Sequence, residues 1–321
     1  MEYNGKVMPK AIHITKQELE QLYIQSNLTD IEIAKIYNCN HNTIYHKRKD
    51  FNISSNYIRS GNNNPNFRGY KEIGIKFYKN IKRNAIKRNY NFTISIEEIY
   101  KLYIQQQKVC ILSKIPINFN NYSIGLGTAS VDRINNNQHY TKNNIWLVHK
   151  DINIIKGTLS LTELYYYCQH ITHPIGYEIN HQLSLELSRH FNYKGYKWIN
   201  SSLLRQTIIN ARKQNLIFDL KIEDLWILFE NQKGLCAISK LPIFFAKRDA
   251  KEPYIRSASI DRIDSSKGYT LENVQWTHRI INRMKWDLIQ SQFIEYCKII
   301  YQNKNTALQY LKEYYDIDTK D

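Results

Sequence analysis

The residues best placed to do chemistry lie in Ala258–Asp287, which reads ASIDRIDSSKGYTLENVQWTHRIINRMKWD. Asp261 and Asn282 are oxygen-bearing side chains of the kind hard divalent cations such as Mg²⁺ accept, with water and a substrate phosphate completing the shell. To bring them together the stretch must form two short strands about a turn, followed by a helix. Ile260 to Ile263 alternate as a first strand. Ser265-Ser266-Lys267-Gly268 makes the turn, with Gly268 expected to supply a positive φ. Asn273-Val274-Gln275-Trp276 forms the second strand, and Ile280, Ile281, Met284 and Trp286 are the apolar positions of the helix.

The stretch occurs twice. Ala129–Gly157 reads ASVDRINNNQHYTKNNIWLVHKDINIIKG, in which Asp132, Arg133, Asn144, His149, Asn153 and Lys156 each precede their counterparts by 129 positions. Upstream the register is 126. It pairs Asn66–Lys71 with Asn192–Lys197, and Cys110-x-x-Ser-Lys-Ile-Pro-Ile with Cys236-x-x-Ser-Lys-Leu-Pro-Ile. One module is therefore present in two copies, which is the main organisational fact of the chain.

The pattern D-R-I-D…G-Y…N-V-Q-W…H…N-x-x-K resembles the HNH endonucleases of the ββα-metal (His-Me finger) superfamily. The resemblance implies that Asp261 and Asn282, and in module one Asp132 and Asn153, are metal ligands. It implies that Asn273 and Asn144 brace the loop and that Lys285 and Lys156 lie near the phosphate. Many members have His after the first Asp as general base. Here Arg262 and Arg133 stand in that place, and arginine stays protonated. Arg262 is better suited to clamp a phosphate or the transition state. Asp264, His278 and Tyr269 are the remaining base candidates in module two. Asp264 needs a raised pKa to serve, and His278 has a suitable ordinary one. Family members with two Cys-x-x-Cys pairs hold a structural zinc. Cys236 and His278 fall on two of those four positions, and Ser239 and Ile281 on the others, so no tetrahedral zinc site closes. Module one has Asn135, which cannot serve as a base, for Asp264 and His139, itself a base candidate, for Gly268, with His149 matching His278. Module two is therefore ranked as the main centre, and module one as a second-strand cutter or a DNA-holding remnant.

Composition bounds the rest. The 321 residues carry 45 basic against 29 acidic side chains, a formal charge of +16. That excess suits a polyanionic partner, because neutralising phosphates releases counterions. No signal-like or membrane-spanning apolar run occurs, which points to a cytoplasmic, intracellular protein. Five cysteines, four of them paired across the repeat (Cys110 with Cys236, Cys168 with Cys297), suggest reduced thiols in the core.

Thr15–Ile53 reads as three helices with capping boxes at Thr15/Glu18 and Thr29/Glu32. Asn38-Cys39-Asn40 forms a turn, Ala34 permits close helix approach and Ile44 faces inward. This resembles a helix-turn-helix. Asn40, His41, Asn42, Tyr45 and His46 are placed near base edges, and Lys47, Arg48 and Lys49 nearer phosphates. In module one, a helix over Ile75–Asn89 should turn Phe77, Ile81, Ala85 and Ile86 inward, and its basic residues outward.

The reading is an α+β chain: a helix-turn-helix (1–53), a linker (54–65), an HNH-like module one (66–172), a connector (173–191) and an HNH-like module two with C-terminal helices (192–321). The function expected is site-directed, Mg²⁺- or Mn²⁺-dependent hydrolysis of double-stranded DNA, of homing or restriction type. The alternative is a DNA-binding regulator with degenerate modules. An RNA-processing nuclease ranks third, because a helix-turn-helix suits the DNA major groove. Two modules in one chain suit a monomer.

Overall fold

The computed structural model describes residues 12–24, 26, 28–53, 69–119, 127–175, 195–245 and 257–315. The linker over 54–65, most of the connector over 173–191 and the acidic tail lie outside the described residues. The architecture is mixed helix and strand, of the α+β kind. The chain divides into two compact units, one of residues 1–80 and 119–126, the other of 81–118 and 127–321.

The first unit opens with α1 (Lys16–Ile24), α2 (Asp30–Ile36) and α3 (His41–Asp50). Local chemistry sets their ends. The Thr15 N–H donates to Glu18 Oε2 at 2.8 Å while Glu18 N–H returns a bond to Thr15 Oγ1 at 3.2 Å. Thr29 and Glu32 repeat the box. Asn38 takes the left-handed conformation, φ 46°, where an asparagine is tolerated. Asn40 then caps α3 by accepting from Asn42 N–H. Leu19, Tyr23, Ile33, Ala34 and Ile44 form the core. The small Ala34 lies buried beside Ile33, as expected for a close helix crossing. The unit also holds the short antiparallel pair β1 (Gly69–Tyr70) and β2 (Ile73–Gly74).

The chain passes from the first unit to the second within α4 (Ile75–Lys87). Ala85 is buried there, but Ile86 is 57% exposed, so the inward stripe is narrower than the sequence suggests. In module one follow α5 (Ile96–Gln105), β3 (Ala129–Arg133), β4 (Ile145–His149), α6 (Lys150–Lys156) and α7 (Leu161–Thr172). Module two repeats the plan. It contains β5 (Gly195–Tyr196), β6 (Ile199–Asn200), α8 (Ser201–Lys213), β7 (Phe218–Asp219), α9 (Ile222–Asn231) and β8 (Ala258–Arg262). Then come β9 (Tyr269–Thr270), β10 (Val274–His278), α10 (Arg279–Lys285), α11 (Gln290–Gln302) and α12 (Lys304–Tyr315).

The hairpins match pair for pair. In β3–β4, Asp132 lies opposite Trp146 and Arg133 opposite Ile145. In β8–β10, Asp261 lies opposite Gln275 and Arg262 opposite Val274. Two readings of this stretch are corrected. Gly268 has no positive φ; a Cβ there would lie 2.5 Å from Ile217 O, so the glycine permits a close backbone approach. That approach carries the Tyr269 N–H to Ile217 O bond, 2.8 Å, beside the parallel β7–β9 pair. Trp286 lies beyond the end of α10, 64% exposed, while Ile281 and Met284 face the core.

The two modules pack against each other through equivalent helices, α6 on α10 and α7 on α11. Leu164, Cys168 and Ile171 of α7 are buried, as are their counterparts Phe293, Cys297 and Ile300 of α11. Each such aliphatic or aromatic side chain contributes about 1.5–3 kcal/mol by burial. All five cysteines are free thiols.

Candidate active centres and nucleic-acid interface

In module two, β8 presents Ser259 and Asp261 on one face, since alternate residues share a face. Helix α10 lies across that face. Asn282 donates through Nδ2 to Ser259 Oγ at 2.8 Å and to Ile260 O at 3.0 Å, and its Oδ1 has no hydrogen-bond partner among the described residues. One turn on, Lys285 Nζ lies 3.1 Å from Asp261 Oδ1 and 2.8 Å from Arg262 O. Gln275 Nε2 takes Asp261 Oδ2 at 2.8 Å. Burial pushes the Asp261 carboxyl above its usual range, with Lys285 opposing. So Asp261 and Asn282 share one seam, as their spacing implies. Lys285 is not a surface phosphate contact: it is wholly buried beneath the carboxylate.

Module one builds the same seam. Asn153 Nδ2 bonds Ser130 Oγ at 2.7 Å, again leaving Oδ1 without a partner. Lys156 Nζ lies 3.0 Å from Asp132 Oδ2 and 3.0 Å from Arg133 O, and it too is fully buried. Trp146 Nε1 donates to the same Oδ2 at 2.8 Å. Asp132 Oδ1 has no partner among the described residues, whereas both oxygens of Asp261 are taken. By that measure module one keeps the freer carboxylate.

The loop between the strands is held by the middle asparagine and the arginine. Asn273 accepts from Asp264 N–H at 3.0 Å and donates to Asp264 O and Gly268 O. Asn144 does the same for Asn135 and His139. Arg262 Nη1 donates to Ser265 O and Lys267 O at 2.7 and 2.8 Å, and Arg133 Nη1 to Asn136 O and Gln138 O. The Arg133 guanidinium is buried 3.7 Å from the centre of the Tyr90 ring, which makes it a loop brace rather than a phosphate clamp. Arg262 is less enclosed and lies over Tyr269.

The base candidates are placed elsewhere. His278 caps α10, with Nδ1 accepting from Ile280 N–H, and burial pulls its pKa down to about 4. His149 caps α6 likewise, its pKa lowered chiefly by burial. Asp264 is exposed, and its bonds from Ser266 hold its carboxyl below the usual range, the opposite of what a base requires. His139 Nδ1 accepts from Asn91 N–H.

The zinc-knuckle positions converge without a metal set. Burial pushes the Cys110 thiol up, with Ser113 and the His149 backbone opposing, and Cys236 Sγ accepts from Ser239 N–H. Among the described residues no group of three or more His, Cys, Asp or Glu side chains could hold a metal. Mg²⁺ asks for less, because it keeps several waters and takes one or two protein oxygens plus phosphate. In module one, a strand carboxylate oxygen and a helix carboxamide oxygen, each without a partner among the described residues, fit that requirement in kind; in module two the carboxamide oxygen does, while Gln275 and Lys285 already hold both oxygens of Asp261.

Sequence reasoning missed one pair of residues. Gln106 and Gln232 each hold the second strand of the hairpin by accepting from its backbone and donating back: Gln106 at Leu147, Gln232 at Trp276. Their identical place in the repeat is the signal that could have found them.

On the three-helix segment α1–α3, His41, Asn42, Tyr45, His46 and Lys49 are exposed, and Lys47 is half-buried. Asn40 uses its side-chain oxygen as a cap. Arg48 is a correction: it is 5% exposed, with Nε 3.1 Å from Asp30 Oδ1 and Nη1 3.0 Å from Ile53 O. It ties α3 to α2 and is not available to a phosphate. No described helix is long and apolar enough to cross a membrane.

Comparison with known proteins adds no relative: the chain matches no protein-family model, no curated protein and no solved structure.

Proposed function

We propose that the chain is a site-directed DNA endonuclease of the HNH kind, hydrolysing phosphodiester bonds with Mg²⁺ or Mn²⁺. The observation that carries the reading is the repeated seam. A strand Asp and a helix Asn, the latter with a carboxamide oxygen free of hydrogen bonds, recur in the same register in two modules. Asp261 with Asn282, and Asp132 with Asn153, would hold the ion. Bound there, Mg²⁺ supplies charge stabilisation as the scissile phosphate gains negative charge. Lys285 and Lys156 orient the carboxylates through their ion pairs. Asn273, Asn144 and the two arginines fix the loop beside the seam. No described side chain is positioned as general base, so the protein's part is orientation and charge. The exposed face of α3 supplies the DNA address.

The test is a supercoiled plasmid incubated with the protein in Mg²⁺ and in EDTA, beside Asn282→Ala, Asn153→Ala and the double variant. Metal-dependent nicking that the double variant loses supports the reading, and the single variants report which module cuts. Asp261→Ala is a poorer probe, since it also strands the Lys285 ammonium.

A second reading, a DNA-binding regulator without cleavage, is favoured by that same ammonium. A buried positive charge 3.1 Å from Asp261 opposes a divalent ion on the same carboxylate. Binding of plasmid without cutting in either metal selects it.

A further inference from the structure

The contacts between the modules are reciprocal. The His149 ring lies 5.9 Å from Tyr296, and the His278 ring lies 5.6 Å from Tyr167. His278 is the repeat counterpart of His149, and Tyr296 that of Tyr167. Each module's histidine therefore meets the other's tyrosine. Cys168 and Cys297, also counterparts, are both fully buried on α7 and α11, close enough that Cys168 helps push the Cys297 thiol up. Residue i meeting j while j meets i, with one pair of equivalents in mutual contact, is the signature of a two-fold interface. Here it is formed inside one chain.

Each copy of the repeat also carries a basic helix, with Lys87 and Lys213 as counterparts. Helices α4 and α8 occupy equivalent positions, and neither contains a single acidic residue. Within the second unit, Lys82, Arg83 and Lys87 of α4 are exposed, as are Arg205, Arg212 and Lys213 of α8. A helix that merely stays in water usually mixes charge signs; two equivalent helices whose charged side chains are all cationic suit a polyanion.

We infer that the chain is an internal dimer that engages one DNA duplex through two equivalent phosphate-contacting helices, α4 and α8, related by the pseudo-two-fold between its modules. The antiparallel strands of a duplex carry local two-fold axes, which is the symmetry such a pair of surfaces can match. This rests on the DNA reading above, and goes beyond it in assigning the surface and the stoichiometry.

The test uses a duplex selected by the full-length chain from a randomised pool. Sedimentation gives the stoichiometry, and hydroxyl-radical footprints with salt titrations are taken for wild type and two triple variants. One carries Lys82→Gln, Arg83→Gln and Lys87→Gln; the other carries Arg205→Gln, Arg212→Gln and Lys213→Gln. The expected result is one chain per duplex. Each triple variant should lose a different part of the footprint, weaken binding about tenfold or more, and shallow the salt slope by about 3. Two chains per duplex, or one variant weakening binding while the other binds as wild type, overturns the inference and leaves the DNA reading standing. Failure of the wild type to select any duplex, or preference for structured RNA in competition, overturns both.

Discussion

Lys285 Nζ lies 3.1 Å from Asp261 Oδ1 with neither residue more than 4% exposed, and Lys156 repeats the arrangement on Asp132. An ion pair so enclosed is costly to break from one side, because the survivor is left charged and without a partner. Lys285→Ala should lose about 3–5 kcal/mol of stability in urea unfolding, and Lys285→Met combined with Asp261→Leu should recover the larger part. A loss from Lys285→Ala no greater than that of an exposed lysine would show the pair to be unimportant to the fold.

Gly268 faces a different constraint. With Ile217 O only 2.5 Å from where a Cβ would stand, Gly268→Ala must push β7 and β9 apart. It should cost about 1–3 kcal/mol, an overpacking penalty. His139→Gly, at the equivalent place in module one, removes no such clash and should cost less. Thermal unfolding of the two variants side by side decides it.

His278 gives the fold a pH dependence. Its folded pKa, about 4, lies below its unfolded value of roughly 6.5, so on acidification the unfolded chain takes the proton first. The stabilisation is whole above about pH 6.5 and declines by about 1.4 kcal/mol per pH unit down to about pH 4. His278→Asn keeps a capping side chain on α10 and should flatten that part of the stability profile. An unchanged slope would place the titration elsewhere.

Neighbouring cations of α3 should separate by role. Arg48→Met should destabilise the three-helix segment α1–α3, since Arg48 holds Asp30 and Ile53, whereas Lys49→Gln should leave its melting unchanged. Lys49→Gln should instead weaken duplex binding and reduce the salt slope by about 1. Equal melting of the two variants would contradict the assignment.

What could be read from the residues alone was what is local or repeated. The capping boxes at Thr15 and Thr29 and the left-handed Asn38 act within four residues, and the hairpins announced themselves twice. The errors share one cause. Arg48 finds Asp30 across 18 positions, Lys285 finds Asp261 across 24, and Gln106 reaches Leu147 across 41. A basic residue in a motif reads as a phosphate ligand until its distant acid is seen. Gly268 was given a turn's reason when its true one is the carbonyl of Ile217, on a segment the turn does not contain.

The hydroxyl of Tyr315, in α12, donates to the carbonyl of Ile145 in β4, a partner 170 positions earlier. During synthesis, then, the hairpin of module one leaves the ribosome long before the helix that closes over it. Its completion waits on almost the whole of module two, so the first module to be made is the last to be finished. Such long-range closure slows folding and ties the two halves into one cooperative event.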